Sequence, residues 1–422
     1  MIALENGKWK LDRRRGQSGY SALVVLLIYS LLMMSGCATV PGRQVADGVA
    51  PLTASNEFQQ DELLNVSIKV FDPGVLPRNP DQRRGLSMEI REAESRFVPV
   101  HLKHTLQHTG YWGAVRVVPD DDLAAEVLVR GKIEYSDGES AVLSVEVVDS
   151  SNIIWFRKTY AETARIEEHH QTEAESRDTF QDLFNSVAND MALYRKELSR
   201  QQVQTIRNLA ELRYASSMAP DTFSHYLENQ EGVYAIRQLP AHNDPMIERV
   251  RSIKTRDDML VDAINDYYDM YYLDLWEPYS SWRMYRHEEV ETMRTVEREA
   301  LAQQVLGVAA IVGAIALGVS SDIDTSVRTQ PLQDIMMMGG AYALYSGHQK
   351  RQEGQLNKVA IEELGDSFSS EAEPLTMEVE GQTVRLTGSA EQQYSNWRRI
   401  LRDIYAKETG LQSPVNPSAL YQ

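Results

Sequence analysis

Short stretches of alternating apolar and polar residues run through positions 63–160, and this period-two pattern predicts β-strands with one buried face. Between two of these stretches, Asp137-Gly138 favours a tight hairpin turn. A helix is expected over residues 87–108, and Pro99 should break it because proline lacks the amide hydrogen that a helix interior uses. The region therefore predicts a small α/β sandwich domain, in which a helix covers a largely antiparallel sheet. The expected strands cover residues 66–70, 114–118, 127–135, 142–148 and 153–160.

Beyond position 161 the apolar residues change to helical spacing. One face of the first helix carries Phe180, Leu183, Phe184, Val187, Met191 and Tyr194. Asp178 precedes this face and is the expected helix cap, while Pro278 should interrupt the last part of the region. We therefore expect a helical middle region over residues 161–302, with further helices over residues 201–214, 221–229, 246–256, 257–272 and 281–302.

Residues 305–319 contain no polar side chain, and a second apolar stretch covers residues 335–347. A helix of 15 residues reaches about 22 Å, which is less than the ~30 Å hydrocarbon core of a bilayer. Glycine and alanine recur in both stretches, and small residues let two helix backbones approach closely. The pattern predicts an apolar helical hairpin over residues 303–347.

This hairpin pattern resembles the glycine zipper of some envelope lipoproteins, which implies contact with lipid or with further copies of the chain. The alternative is a hairpin buried in the core of the protein. The candidate interface positions are Gly307, Gly313, Gly318, Gly339 and Gly340.

The C-terminal region, residues 348–422, starts with a polar helix and then changes to a strand pair over residues 375–379 and 383–386. A closing amphipathic helix is expected after it, with Trp397, Ile400, Leu401 and Ile404 on one face. Taken together, the elements predict the α+β class for the whole chain.

The N-terminus has the three parts of a secretory signal. Five basic residues lie within the first 15, an apolar run covers residues 22–34, and Ser35-Gly36 precede Cys37, the single cysteine of the chain. An uncleaved membrane anchor is the alternative, but a run of 13 residues is short against the ~20 that span a bilayer. Residues 1–36 are therefore expected to be a signal peptide, and residues 37–62, rich in Pro, Gly, Ala and Ser, a flexible tether.

The order Leu31-Leu32-Met33-Met34-Ser35-Gly36-Cys37 resembles a bacterial lipobox. The resemblance implies that Cys37 receives a diacylglycerol and becomes the first residue of the mature protein. Met34 departs from the family pattern, in which leucine is commonest at that position. Ala38 follows the cysteine, whereas the family's inner-membrane retention signal is aspartate at that position. The resemblance therefore implies an outer-membrane protein, anchored by lipid and facing the periplasm.

Charge excludes one class of partner. The whole chain has a net charge of -18, and its first 36 residues contribute +3, so the remainder is near -21. A surface this acidic is unsuited to nucleic acid, whose binding depends on Lys and Arg.

Residues 63–160 also resemble a known envelope domain. The similarity rests on the order of strand, helix, the sequence AVRVVP at residues 114–119 and the sequence AEVLVRGKI at residues 125–133. This order is similar to the periplasmic domain of lipoproteins related to the curli secretion lipoprotein and to the amino-terminal domain of TolB. The resemblance implies a non-catalytic part in an assembly at the outer membrane.

Candidate chemistry is sparse. His101, His104 and His108 project to nearly one face of the expected helix, but no cysteine and no carboxylate at a suitable spacing completes a zinc ligand set, so a solvated histidine face is expected. The chain contains no nucleophile elbow, phosphate-binding loop or dinucleotide fingerprint. We therefore expect a protein that is not an enzyme and that binds no metal or cofactor.

Aromatic residues are dense over positions 267–285. Tyr and Trp are enriched at protein interfaces and membrane boundaries, so Tyr268, Tyr272, Trp276 and Trp282 are candidate interface residues. The alternative is a helix packed inside its own domain.

The sequence therefore predicts an acylated structural or assembly component of a cell-envelope complex, acting in secretion or surface-structure assembly as a homo-oligomer or with envelope partners. The second hypothesis is a periplasmic binding module for cell-wall glycan or a secreted substrate.

Overall fold

The computed structural model describes residues 43–410 except 57, 80–82, 84–85, 165–177, 242, 317–355, 367–374 and 380–381, and over 289–316 it gives the helix backbone alone. The predictions that concern Cys37, Gly318, Gly339 and Gly340 lie outside the described residues. The fold belongs to the α+β class, as the sequence predicts.

A six-stranded sheet organises the first half of the chain, with strand order β1-β6-β5-β4-β2-β3. The hairpin predicted at Asp137-Gly138 is confirmed, because Ser136 pairs with Ala141 across it. The expectation of a largely antiparallel sheet is confirmed for β4, β5 and β6, but the sheet as a whole is mixed, since β2 pairs in parallel with both β3 and β4 and β1 pairs in parallel with β6. A helical crossover joins β2 to β3, and such a connection leads to a parallel neighbour. The strands are β1 Arg43–Gln44, β2 Leu64–Lys69, β3 Trp112–Val118, β4 Val127–Ser136, β5 Ser140–Asp149 and β6 Ile154–Thr163.

The crossover helix α1, Met88–Thr109, continues through Pro99, so the predicted break is wrong. Proline at this position leaves the carbonyl of Ser95 without its usual helical donor. The backbone N–H of Phe71, in the segment after β2, donates to that carbonyl at 2.9 Å. A tertiary contact thus replaces the hydrogen bond that proline removes.

Residues 43–63, called the strap below, pack against the sheet and its helices. In the strap, Gly48 N donates to Asp182 at 2.7 Å and Leu52 N donates to Asn189 at 2.6 Å, and Ala54 N donates to the carbonyl of Thr109 at 2.8 Å. The prediction of a flexible tether over 37–62 is therefore wrong for its described part. Its irregular backbone gains fixed partners from helix side chains, which composition alone does not reveal.

Helices α2, Gln181–Glu197, and α3, Arg200–Met218, follow β6. The helix expected over residues 221–229 is wrong: a single turn at Pro220–Phe223 and a 3-10 turn at Ser224–Tyr226 lead into a hairpin. Its strands are β7, Leu227–Gln230, and β8, Val233–Ile236, and its turn has Glu231 and Gly232 at positive φ.

Helix α4, Pro245–Ala316, is 72 residues long, or about 108 Å at 1.5 Å per residue. Pro278 lies within it, so the predicted break is wrong here too. An interior proline costs about 3 kcal/mol, whereas each large side chain buried beside it contributes about 1.5–3 kcal/mol. Leu275, Tyr279 and Trp282 are all buried on α4, and their packing outweighs the local cost.

A helix over residues 356–366, the antiparallel pair β9 Leu375–Val379 and β10 Gln382–Leu386, and helix α6, Ala390–Thr409, complete the described chain. The helix over 356–366 is called α5. The predicted strand pair and closing helix are confirmed, and Trp397, Leu401 and Ile404 of α6 are buried against α3 and α4.

Two hydrophobic cores cross the expected domain boundary at residue 160. One lies between the sheet, α1 and α2 and includes residues on both sides of that boundary, from Leu64 to Ile206. The other joins the opposite side of α1 to α3, α4 and α6. Among the described helices, none is both long enough and apolar enough to span a membrane.

The two edges of the sheet differ. At the β3 edge, α4 places Asn265 against the strand: its side chain accepts from Val117 N at 2.8 Å and donates to Val117 O at 3.0 Å. At the other edge, β1 pairs only with Tyr160 and Ala161 of β6. Within the described part of the chain no strand covers the outer edge of β6 before Tyr160, and open edges are where proteins accept further contacts.

Candidate functional site

Helices α1 and α4 bring the histidines of α1 into contact with the aromatic residues of positions 267–285. His101 and Tyr272, which are in contact, lie 171 positions apart in the sequence. His101 Nδ1 lies 2.8 Å from Tyr272 Oη and His101 Nε2 lies 2.9 Å from Gln181 Oε1. Gln181 Nε2 donates to Asn185 Oδ1, which orients the Gln181 amide. Since Gln181 Oε1 can only accept, His101 Nε2 carries the proton and Tyr272 donates to Nδ1.

Burial lowers the pKa of His101, so its ring is neutral at pH 7. Phe184 on one side and Trp276 on the other pack against the ring, with centroid distances of 4.4 Å and 6.1 Å. The expectation of a solvated histidine face is therefore wrong for His101. The face of α1 that carries it is covered by α2 and α4, and helical spacing alone does not show which faces of a helix are covered.

The other two histidines have different surroundings. His104 Nε2 lies 3.2 Å from Asp269 Oδ1, and Lys103 Nζ donates to both Asp269 oxygens at 2.6 and 2.7 Å. Burial favours a higher pKa for Asp269, but hydrogen bonds from His104 and Lys103 outweigh it and lower that pKa. His108 is exposed. The three rings thus have separate partners, and within the described ranges no three His, Cys, Asp or Glu side chains are arranged to hold a metal ion.

An open groove of about 540 Å³ lies between the strap, α1 and α2. We call it the histidine groove. Its walls present imidazole, amide and hydroxyl groups beside the backbone of the strap, a set that hydrogen-bonds to polar, uncharged ligands such as sugars. It is lined by Gly48, Val49, Ala50, Pro51, His101, His104, Thr105, His108, Gln181 and Asn185.

Beneath the groove, a buried ion pair joins α4 to the start of α2. Arg283 donates to both oxygens of Asp178, at 3.1 and 2.7 Å, and the two side chains are 2% and 0% exposed. Burial alone raises the pKa of Asp178, but the Arg283 guanidinium outweighs it and lowers that pKa to about 2. Asp178 also accepts from Phe180 N at 2.8 Å. The N-cap of α2 is Phe180, without a side-chain capping bond, so the expectation that Asp178 caps this helix is wrong.

Glu94 adds a second buried carboxyl next to this pair. Its Oε1 accepts from Ser136 Oγ at 2.5 Å and from Tyr279 Oη at 2.6 Å. Burial raises the pKa of Glu94, although both hydrogen bonds oppose the shift. These contacts join α1, β4 and α4, and sequence spacing could not identify either of the two partners of Glu94.

The candidate interface aromatics lie mostly inside the protein. Tyr268, Tyr272 and Trp282 are buried, so the prediction that they form an exposed interface is wrong. The alternative, a helix packed inside its own domain, is correct for these three residues. Trp276 is half-buried and stacks on Phe97 at 6.0 Å. The backbone of Gly307 and Gly313 belongs to α4.

No protein-family model, no curated protein and no solved structure matches this chain. Its function therefore has to be argued from its own residues.

We expect Arg283→Met to lower the free energy of unfolding by about 3–5 kcal/mol, because it leaves the Asp178 carboxylate buried without its partner. The matched control is Arg157→Met, which removes the ion pair with Glu146 from a side chain that is 68% exposed and should cost less than about 1 kcal/mol. Urea unfolding followed by circular dichroism measures both. Equal losses in the two variants would contradict the importance of the buried pair.

We expect His101 to make stability depend on pH. An unfolded histidine binds a proton below about pH 6.5, whereas folded His101, with its lowered pKa, does so only at lower pH. The unfolded state therefore holds more protons in that window, so stability falls as pH drops below about 6.5, by at most ~1.4 kcal/mol per pH unit. His101→Gln should reduce this slope.

The control for this measurement is His225→Gln, which changes an exposed histidine and should keep the slope. Denaturant unfolding between about pH 5 and 7.5 compares the three proteins. The interpretation fails if the slope is the same with and without the His101 imidazole.

Proposed function

We propose that this protein is a lipid-anchored, non-catalytic component of a cell-envelope assembly, attached to the outer membrane and facing the periplasm. The observation that carries the proposal is the signal-like N-terminus ending in Cys37, the single cysteine. The position of the strap supports it, since Arg43 is already in β1, six residues after Cys37. Six residues span at most about 20 Å, so the lipid holds the folded body close to the bilayer surface.

The surroundings of the titratable groups support a structural role. His101, Asp178 and Asp269 each hydrogen-bond to a side chain from another helix or from the segment that leads into one. Groups used in this way join secondary-structure elements, whereas catalytic acids and bases must remain available to a substrate.

The length of α4 supports an assembly role. After His287 the helix backbone continues for 29 residues to Ala316, about 43 Å, and its final part carries Gly307 and Gly313. We propose that this part pairs with residues 335–347 as a hairpin that contacts lipid or further copies of the chain. A homo-oligomer or a complex with other envelope proteins follows from such a contact.

A second candidate function is a binding module for cell-wall glycan or a secreted substrate. The histidine groove favours it, because its imidazole and amide groups suit hydroxyl-rich ligands.

Cys37→Ser should abolish labelling by radioactive palmitate and leave the unprocessed precursor, because the thiol is the acceptor of the lipid. The measurement is palmitate uptake in growing cells together with the mass of the protein. Ser35→Ala, two positions before Cys37, is the matched control and should keep the label, since a small residue is retained there. Normal labelling of Cys37→Ser would remove the basis of the proposal.

The two candidate functions predict different behaviour of detergent-solubilised protein. An assembly component should elute as a large oligomer, whereas a glycan-binding module should be a monomer that sediments with isolated peptidoglycan. His108→Trp places a large ring in the histidine groove and should reduce sedimentation about tenfold if the groove binds glycan, whereas His225→Trp, at an exposed site outside it, should not. A monomer that loses peptidoglycan only with His108→Trp favours the binding module and contradicts the assembly role.

A further inference from the structure

The direction of β1 shows on which side of the sheet the described chain begins. Arg43 pairs with Tyr160 in parallel, and Val45 N donates to the carbonyl of Ala161 at 2.9 Å. Parallel strands run the same way, so the stretch of β6 from Ile154 to Tyr160 lies on the side of the sheet at which β1 begins. This is the stretch of β6 whose outer edge no described strand covers.

The lengths match. Six residues separate Cys37 from Arg43, and six separate Ile154 from Tyr160. At about 3.3 Å per residue the start of β6 lies about 20 Å from Tyr160, and six residues span at most about the same length, so the start of β6 is within reach of a lipid on Cys37.

The start of β6 carries an exposed apolar patch made by two adjacent turns. Ile153 and Ile154 are each 46% exposed and Val233 is 43% exposed. The turns are joined by hydrogen bonds: Asn152 Nδ2 donates to Gly232 O at 3.0 Å and Tyr234 N donates to Ser151 O at 2.8 Å. The three apolar side chains therefore stand on a rigid surface.

The backbone of these turns favours a fixed shape. Asn152 has a φ of 67° and Glu231 a φ of 53°, the left-handed region that tight turns use. Arg213 holds the first turn from below, with NH1 donating to Ser150 O at 2.8 Å and its guanidinium 4.6 Å from the ring centre of Tyr234. Apolar side chains on rigid turns lose little conformational entropy when they enter a lipid interface, because the backbone that carries them is already ordered.

We propose that Ile153, Ile154 and Val233 form the surface of the folded body that contacts the lipid bilayer. The inference rests on the proposed acylation of Cys37, because this end of β6 is within reach of that lipid. The occupant is the lipid itself, and the contact is apolar. A protein partner on the same patch is the competing outcome of the test.

The single cysteine makes the test direct, because acylation consumes the Cys37 thiol and leaves an introduced cysteine as the one free thiol. Ile153→Cys and Val233→Cys are labelled with an environment-sensitive fluorophore in the full acylated protein, reconstituted in phosphatidylcholine vesicles. Brominated phosphatidylcholine then quenches any probe that contacts the acyl chains.

The matched control is Met284→Cys. Met284 is 37% exposed, and the nearby Arg286 donates to Asp137 O at the β4–β5 turn. That turn lies at the opposite end of β5, ten residues or about 30 Å from the patch. We expect quenching at Ile153→Cys and Val233→Cys to be at least about three times that at Met284→Cys, with a blue shift of the emission.

Equal quenching at the three positions, or none at the patch, overturns the inference. A blue shift at Ile153→Cys without quenching by brominated lipid indicates a protein contact and also overturns it. The mass of the purified protein separates the two proposals: a protein without lipid on Cys37 contradicts both, whereas an acylated protein with an unquenched patch contradicts only the bilayer contact.

Discussion

The burial of two opposite faces of helix α1 is the constraint on which the rest of the structure depends. One face of α1 packs on the sheet and α2, and the opposite face packs on α4. Polar side chains on these two faces have little access to water, and each unpaired one costs about 1–3 kcal/mol. Glu94, His101 and Lys103 therefore obtain partners from α4, namely Tyr279, Tyr272 and Asp269. These contacts set the position of α4 along α1, and Arg283 with Asp178 then attaches the start of α2 to it.

The strap extends the same principle to the beginning of the chain. Its backbone has little regular structure, yet α2 supplies Asp182 and Asn189 as acceptors and α1 supplies the carbonyl of Thr109. A segment held in this way is part of the folded body.

The two edges of the sheet illustrate how the fold controls its contacts. Asn265 covers a peptide group of β3 from α4, which blocks pairing with another strand at that edge. Along β6, no described strand covers the outer edge over residues 154–159. A single open edge limits the strand-pairing contacts that a sheet accepts, whereas a sheet with two open edges invites uncontrolled association.

The sequence alone determined the elements whose signal is local. The Asp137-Gly138 hairpin, the strand pair after residue 374 and the buried face of α6 follow from turn chemistry and periodicity, which act over a few residues. Tertiary structure decided whatever depended on a distant partner. Pro99 stays in a helix because Phe71 N satisfies Ser95 O, and His101 is buried because α4 covers it 171 residues later in the chain. The strap looks like a linker in composition, and only the acceptors on α2, more than 130 residues away, make it part of the body.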